Sequence, residues 1–87
     1  MKWQAEYTDT FGGEANYAWV RRRTIEMPEG ASDYAVVKAA KKALELSGVP
    51  CRRMHYSGDD TITLRPVKSN TILFITPLVN GEEGSGE

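Results

Sequence analysis

One segment of this sequence, residues 34–46, repeats its apolar side chains with the period of an α-helix, and the other patterned segments do not. Its apolar stripe consists of Val36, Val37, Ala40, Ala43 and Leu44. A single helix cannot bury that stripe against another helix, so the rest of the chain has to supply a β-sheet that covers it. We expect Ser32 or Asp33 to cap the start of the helix. Gly48 is expected just after its end, with Pro50 beyond it.

Five other segments have the composition and the alternation of β-strands. They are residues 2–8, 15–27, 51–56, 61–65 and 71–76. The first two flank a turn region, and the second alternates imperfectly around Arg21-Arg22-Arg23, where a bulge or bend is expected. Short connections between strands favour antiparallel pairing. The predicted fold class is therefore α+β, with one helix packed on one face of a mainly antiparallel sheet in the order ββαβββ.

The length of 87 residues is enough for one domain and too short for two. Residues 1–79 are predicted to form this single domain. Residues 80–87 contain three glutamates and no apolar side chain, so we expect a disordered acidic tail there. The expected core consists of Val36, Val37, Ala40, Leu44, Ile62, Leu64, Ile72 and Phe74.

The charge of the chain is close to balanced, with 11 basic and 12 acidic residues. Three of the acidic residues lie in the predicted tail, which leaves 11 basic against 9 acidic in the domain, a net charge of about +2. That charge does not by itself indicate nucleic-acid binding. The single cysteine cannot form an internal disulfide, which is typical of a reducing compartment, and no apolar run is long enough to cross a bilayer. We therefore expect a cytoplasmic protein without a membrane partner.

Catalytic and metal-binding patterns are weak in this chain. Cys51 and His55 are residue types that can act as a nucleophile and its base. Four residues of strand, however, separate their Cα atoms by about 13 Å, beyond hydrogen-bond reach. One histidine and one cysteine do not make a structural zinc site, so no metal and no cofactor is expected. Gly12-Gly13 leads into a strand instead of a helix, which argues for a hairpin turn and against a phosphate loop. A catalytic role is not indicated.

Four large aromatic residues lie on the first two predicted strands. Trp3 and Tyr7 share a face of the first strand, and Tyr17 and Trp19, two residues apart, are expected to share a face of the second. In a protein of this size such rings usually form core beneath the helix. The helix, however, presents mostly valine and alanine, which cover little area. Rings left on the open face of the sheet would form a partner-binding patch.

Arginines are concentrated in two runs, Arg21-Arg22-Arg23 and Arg52-Arg53. One interpretation is a solubilising sheet edge that blocks strand addition. The other is a binding site for phosphates or for an acidic protein surface, which requires that the two runs converge on the same side of the sheet. The sequence leaves both interpretations open.

Residues 6–22, which include Tyr7, the Gly12-Gly13 turn, Tyr17, Trp19 and Arg22, resemble a stretch in small uncharacterised proteins encoded by phages and prophages. The resemblance implies the cytoplasm of a bacterial host. It also implies an accessory role in which the protein binds a macromolecule, and it transfers no functional residue.

These observations favour a small non-enzymatic accessory protein that binds a macromolecular partner through a sheet face or edge. A protein is the expected partner, and homodimerisation through the same face is compatible with the pattern. Nucleic acid bound through the arginines is the alternative within the binding class, and a small enzyme of unknown class is the rival outside it. The partner-binding residues are predicted to be Tyr17, Trp19, Arg21, Arg22, Arg23, Arg52 and Arg53.

Overall fold

The computed structural model describes residues 1–54 and 60–78. Its elements are β1 (Lys2–Phe11), β2 (Glu14–Glu26), α1 (Asp33–Ala43), β3 (Cys51–Met54), β4 (Ile62–Pro66) and β5 (Thr71–Leu78). The predicted α+β class and the order ββαβββ are confirmed. The predicted acidic tail, residues 80–87, lies outside the described residues, as does His55.

The described strands form one five-stranded sheet in the spatial order β2-β1-β5-β4-β3. Every pairing is antiparallel, as the short connections predicted. The last strand, β5, returns to the middle of the sheet and pairs with the first strand along its length, from Lys2–Leu78 to Asp9–Thr71. β2 and β3 therefore form the two opposite edges, and α1 is the connection that joins them.

The first hairpin is longer and tighter than its sequence predicted. β1 does not end at Thr8 but continues to Phe11, where it pairs with Glu14. The turn consists of Gly12 and Gly13 alone, with φ angles of 65° and 87°. Two consecutive positive φ angles are what a two-residue turn needs to match the right-handed twist of its strands, and glycine adopts them without strain. The prediction of a six-residue turn region was wrong for this reason.

The core is one cluster of side chains from the helix and from three strands. It contains Ala5, Val36, Ala40, Leu44, Leu46, Ile62, Leu64, Leu73 and Ile75. From β5 the cluster takes Leu73 and Ile75, which the register places beside Leu64 and Ile62. The prediction had named Ile72 and Phe74. Ile72 is buried, as predicted, but both residues lie on the other side of the strand because side chains alternate. A strand that is apolar on both faces does not reveal which face meets the helix.

The helix begins as predicted and ends earlier. Ser32 is its N-cap and accepts a hydrogen bond from the Ala35 amide at 3.1 Å. At the other end Glu45, with a φ of 62°, takes the left-handed position that was predicted for Gly48. The Leu46 amide then donates to the Lys41 carbonyl at 2.7 Å, which is a Schellman closure of the helix. It turns Leu46 back into the core, where it is buried.

Candidate functional site

The two arginine runs do not converge. Arg21-Arg22-Arg23 lies on β2 and Arg52-Arg53 on β3, and these strands are opposite edges of the sheet. Four strand spacings separate the edges, or roughly 19 Å along the sheet. A single anionic group cannot be held by both runs across that distance. The arginine cluster as the sequence suggested it is therefore not assembled, and each guanidinium has its own surroundings.

One arginine from each run contacts an end of the helix. Arg21 Nη2 donates to the Leu44 carbonyl at 3.0 Å, at the C-terminal end of α1. Arg53 Nη2 forms an ion pair with Asp33 Oδ2 at 3.0 Å, at the N-terminal end. A cation beside the last carbonyls of a helix also interacts favourably with the helix dipole. Arg21 and Arg53 thus tie the crossing helix to the two edge strands, which is a structural role.

The remaining arginines of the two runs differ in their availability. Arg22 Nε pairs with Glu6 Oε2 at 2.7 Å, directly across the β1–β2 ladder. Arg23 is exposed, and among the described residues its side chain donates only to the carbonyl of its neighbour Arg22. Arg52 is exposed as well, and no carboxylate of the described chain lies within ion-pair distance of it. Of the five predicted arginines, Arg23 and Arg52 are the ones whose charge is not used by another described residue.

β2 carries a bulge, but it lies before the arginines instead of among them. Thr8 pairs with Val20 and Thr10 pairs with Ala15, so residues 16–19 stand opposite Asp9 alone. Within this bulge Tyr17 has a φ of 57°, in the left-handed region that side chains rarely adopt. The local chain direction is changed there, while the pairing around Arg21-Arg22-Arg23 is regular.

The bulge separates two aromatic residues that simple alternation would keep together. The Trp19 ring packs edge-on against Tyr7, with ring centroids 5.3 Å apart. The Tyr17 hydroxyl donates to Glu6 Oε1 at 2.9 Å, and Glu6 projects from the face opposite to its neighbour Tyr7. Tyr17 and Trp19 therefore lie on different faces of the hairpin. The prediction that they share a face was wrong, because the extra residues of the bulge shift the alternation.

Two side chains of β1 hold the bulge in shape. Thr8, fully buried, accepts a hydrogen bond from the Tyr17 amide at 3.1 Å and donates to the Trp19 carbonyl. Asp9 accepts from Asn16 Nδ2 and from the Ala18 amide, both at 2.9 Å. The bond from Asn16, supported by Thr8 and by backbone amides, lowers the pKa of the Asp9 carboxyl, against a smaller opposing effect of burial. The bulge is thus held in place by hydrogen bonds with the side chains of Thr8 and Asp9.

Three aromatic side chains are exposed at the turn end of this hairpin. Phe11 is 80% exposed, Tyr17 48% and Trp19 41%. We call this tip of the hairpin, with Tyr17 and Trp19 on its two opposite faces, the aromatic hairpin end. Tyr17 and Trp19 were predicted as partner-binding residues; Phe11 was missed, because it was assigned to a loose turn. The signal that could have found it is its place directly before Gly12-Gly13, where a two-residue turn projects the flanking side chains beyond the sheet.

The other predicted chemical groups give no site in the part of the chain that the structure describes. Burial raises the pKa of the Cys51 thiol, against a smaller lowering by Lys41, so its thiolate is less populated at neutral pH than that of a free cysteine. Among residues 1–54 and 60–78 no group of three or more His, Cys, Asp or Glu side chains could hold a metal ion. No helix in these ranges is long and apolar enough to span a membrane.

Comparison with known proteins gives no family for this chain: no family model, no curated protein and no solved structure matches it. The functional interpretation therefore depends on the geometry of the sheet and its hairpin.

Proposed function

We propose that this protein is a non-enzymatic binding module whose aromatic hairpin end contacts a protein partner. The observation that carries the proposal is the exposure of Phe11, Tyr17 and Trp19 together at one end of one hairpin. Aromatic side chains are enriched at protein interfaces, where a few buried rings contribute most of the binding energy. The accompanying role, that of a phage accessory protein in the cytoplasm of a bacterial host, is part of the same proposal.

The hairpin end is pre-organised for such a contact. Trp19 packs on Tyr7, and the Tyr17 hydroxyl is held by Glu6. Below them Thr8 and Asp9 bond the backbone of the bulge. Side chains that are already fixed lose little conformational entropy on binding, so more of the interaction energy remains as affinity. Phe11, which has no such restraint, is suited to insert into a recess on the partner.

The partner chemistry follows from what surrounds the rings. A matching surface has an apolar recess for Phe11. A nucleic-acid strand is disfavoured, because its phosphates are usually followed by a continuous track of cations. Here the arginine runs are divided between two edges, and Arg21, Arg22 and Arg53 are engaged within the chain.

Pairing of a partner strand with a sheet edge is also disfavoured. β2 carries the bulge at residues 16–19, and β3 is four residues long in the part of the chain that the structure describes. Bulges and short edge strands are the devices by which sheets resist edge-to-edge association. Side chains at the hairpin end, rather than the backbone of an edge, are therefore the proposed contact surface.

The test compares two exposed aromatic residues. Phe11 and Tyr34 are 80% and 75% exposed, and Tyr34 lies on the helix instead of the hairpin. A photo-crosslinking aromatic residue at position 11 would capture the partner in host cells, and the affinity of the purified partner would then be measured. Phe11→Ser should weaken binding by about tenfold or more, whereas the matched control Tyr34→Ser should leave it unchanged. Equal effects of the two substitutions would refute the proposed surface.

Other occupants give different results in the same assays. If single-stranded nucleic acid binds instead, Phe11→Ser should reduce that binding, and the affinity should fall with salt with a log slope of about −0.7 per phosphate contacted. If the surface forms a homodimer, sedimentation at micromolar concentration should show a dimer that Phe11→Ser dissociates and Tyr34→Ser does not. Either result would replace the proposed protein partner.

A further inference from the structure

Two arginines stand directly opposite each other on the β3–β4 ladder. Arg52 pairs with Arg65 in the register, and directly opposed residues of antiparallel strands project from the same face, with Cα atoms about 5 Å apart. Both line a polar surface cleft of about 350 Å³, together with Ser69 and Asn70 of the turn between β4 and β5. Arg65 belongs to neither of the two arginine runs, so the pair arises from strand register alone.

The cleft holds two like charges, and among the described residues it holds no counter-charge. Like charges at directly opposed positions destabilise a sheet. Arg65 Nη1 donates to the Gly13 carbonyl at 3.2 Å, which is a neutral acceptor, and Arg52 is exposed. Within residues 1–54 and 60–78, no carboxylate lies within ion-pair distance of either guanidinium. The neighbouring Arg53 is not part of the pair, because it pairs with Asp33 at the helix.

We propose that this cleft binds a phosphate-class oxyanion between Arg52 and Arg65. Arg52 offers a planar fork of N–H donors, Arg65 offers the donors other than the one bonded to the Gly13 carbonyl, and the Asn70 side-chain amide adds a neutral donor. A phosphoryl group has three or more oxygen acceptors and can engage both guanidinium groups at once. A single carboxylate has two oxygens and occupies one fork. The ligand is therefore free phosphate or the phosphoryl group of a small phosphomonoester.

This inference does not depend on the proposed protein partner. Its residues come from β3, β4 and the turn after β4, whereas the aromatic hairpin end belongs to β1 and β2, which Arg65 contacts through its bond to the Gly13 carbonyl. Arg52→Gln leaves that bond in place, so it should leave the effect of Phe11→Ser on partner affinity unchanged, and loss of partner binding should leave phosphate binding unchanged. The two proposals can therefore fail separately.

The experiment follows the arginine side chains of the full chain by NMR. Inorganic phosphate is titrated at constant ionic strength against chloride, and the Nε–Hε resonances of Arg52, Arg65 and Arg23 are recorded. Arg52 and Arg65 should shift together and saturate, while Arg23, exposed on the opposite edge, should not. Phenyl phosphate in a second titration distinguishes the sources: tighter binding than inorganic phosphate assigns a monoester, and weaker binding assigns free phosphate.

A stability measurement uses the repulsion between the two arginines. Arg52→Gln removes one charge and no bond to any described residue, so the variant should fold and should melt higher than wild type in dilute buffer without phosphate. Phosphate at a concentration well above its dissociation constant should raise the melting temperature of wild type by several degrees and that of Arg52→Gln not at all. The matched control Arg23→Gln should respond to phosphate as wild type does.

Three outcomes would overturn the proposal. They are an equal response to chloride and phosphate at matched ionic strength, a uniform shift of all arginine resonances, and a full phosphate response in Arg52→Gln. Each would mean that phosphate acts as a general counter-ion. If Arg52→Gln does not fold, the titration of the wild-type resonances decides the question without it.

Discussion

The Thr8 hydroxyl donates to the Trp19 carbonyl at 2.8 Å, in the segment where the bulge interrupts the pairing of β1 with β2. The same oxygen accepts from the Tyr17 amide, so one side chain supplies two of the bonds that a regular ladder would have supplied. Because Thr8 is fully buried, water cannot replace it. The aromatic hairpin end is positioned through this contact.

Thr8→Val should therefore destabilise the domain by more than the loss of one hydrogen bond would. Valine has the same shape but leaves the Tyr17 amide and the Trp19 carbonyl without their partner, at a cost of about 1–3 kcal/mol. Urea denaturation measures the change. Thr24→Val, at an exposed position of the neighbouring strand β2, is the control and should change the free energy of unfolding by less than about 0.5 kcal/mol. Equal effects would mean that the bulge does not depend on Thr8.

Acid should weaken the contribution of Asp9 to stability. Its folded-state pKa is lowered from the ordinary value of 3.8, first by the hydrogen bond from Asn16, so folding favours the charged carboxylate. The contribution is fully present above pH 3.8 and is lost as the pH falls through the lower folded-state value. Asp9→Asn should be less stable than wild type at neutral pH, and the difference should narrow in acid. The urea midpoints of wild type and Asp9→Asn, measured from neutral to acid pH, check this. A difference between the two midpoints that stayed constant with pH would contradict the prediction.

Arg21 and Arg23 lie two residues apart on β2 but should respond differently to substitution. Arg21→Met keeps the apolar length of the side chain and removes the donor to the Leu44 carbonyl, which should cost about 1 kcal/mol of stability. Arg23→Met removes an exposed donor to a neighbouring carbonyl and should cost less than about 0.5 kcal/mol. Thermal denaturation of both variants checks the structural role of Arg21; the reverse order would be evidence against it.

The helix end contains a backbone conformation that its residue does not favour. Glu45→Gly should stabilise the domain by about 0.5–1 kcal/mol, because glycine takes a φ of 62° without strain and this gain exceeds its larger entropy loss on folding. Glu45→Ala keeps the β-carbon, so comparing the two variants separates backbone strain from the removal of a carboxylate near the helix C-terminus. A glycine variant no more stable than the alanine variant would show that Glu45 is not strained.

Several features of the site could not be predicted from local patterns. Tyr17 and Trp19 have the spacing of residues that share a face, and only the bond network of Thr8 and Asp9 shows that a bulge intervenes. Gly48 is a better residue for a helix C-terminus than Glu45, yet the buried position of Leu46 goes with an earlier end. In both places long-range packing outweighs a local preference of about 1 kcal/mol.

The sequence alone determined the types and the order of the elements. The apolar repeats of α1 and the alternation of β1 are local periodicities, and each depends on residues within a few positions of one another. The antiparallel pairing also followed from the sequence, since short connections leave little choice.

The tertiary structure alone decided which strands are neighbours and which side chains meet. The pairing of β5 with β1 joins the two ends of the described chain and places β2 and β3 at opposite edges. That single pairing separates the two arginine runs, whereas the β3–β4 register brings Arg52 and Arg65 together. Strand order and register are set by contacts between residues far apart in sequence, and a one-residue shift of register would exchange the two faces of a strand.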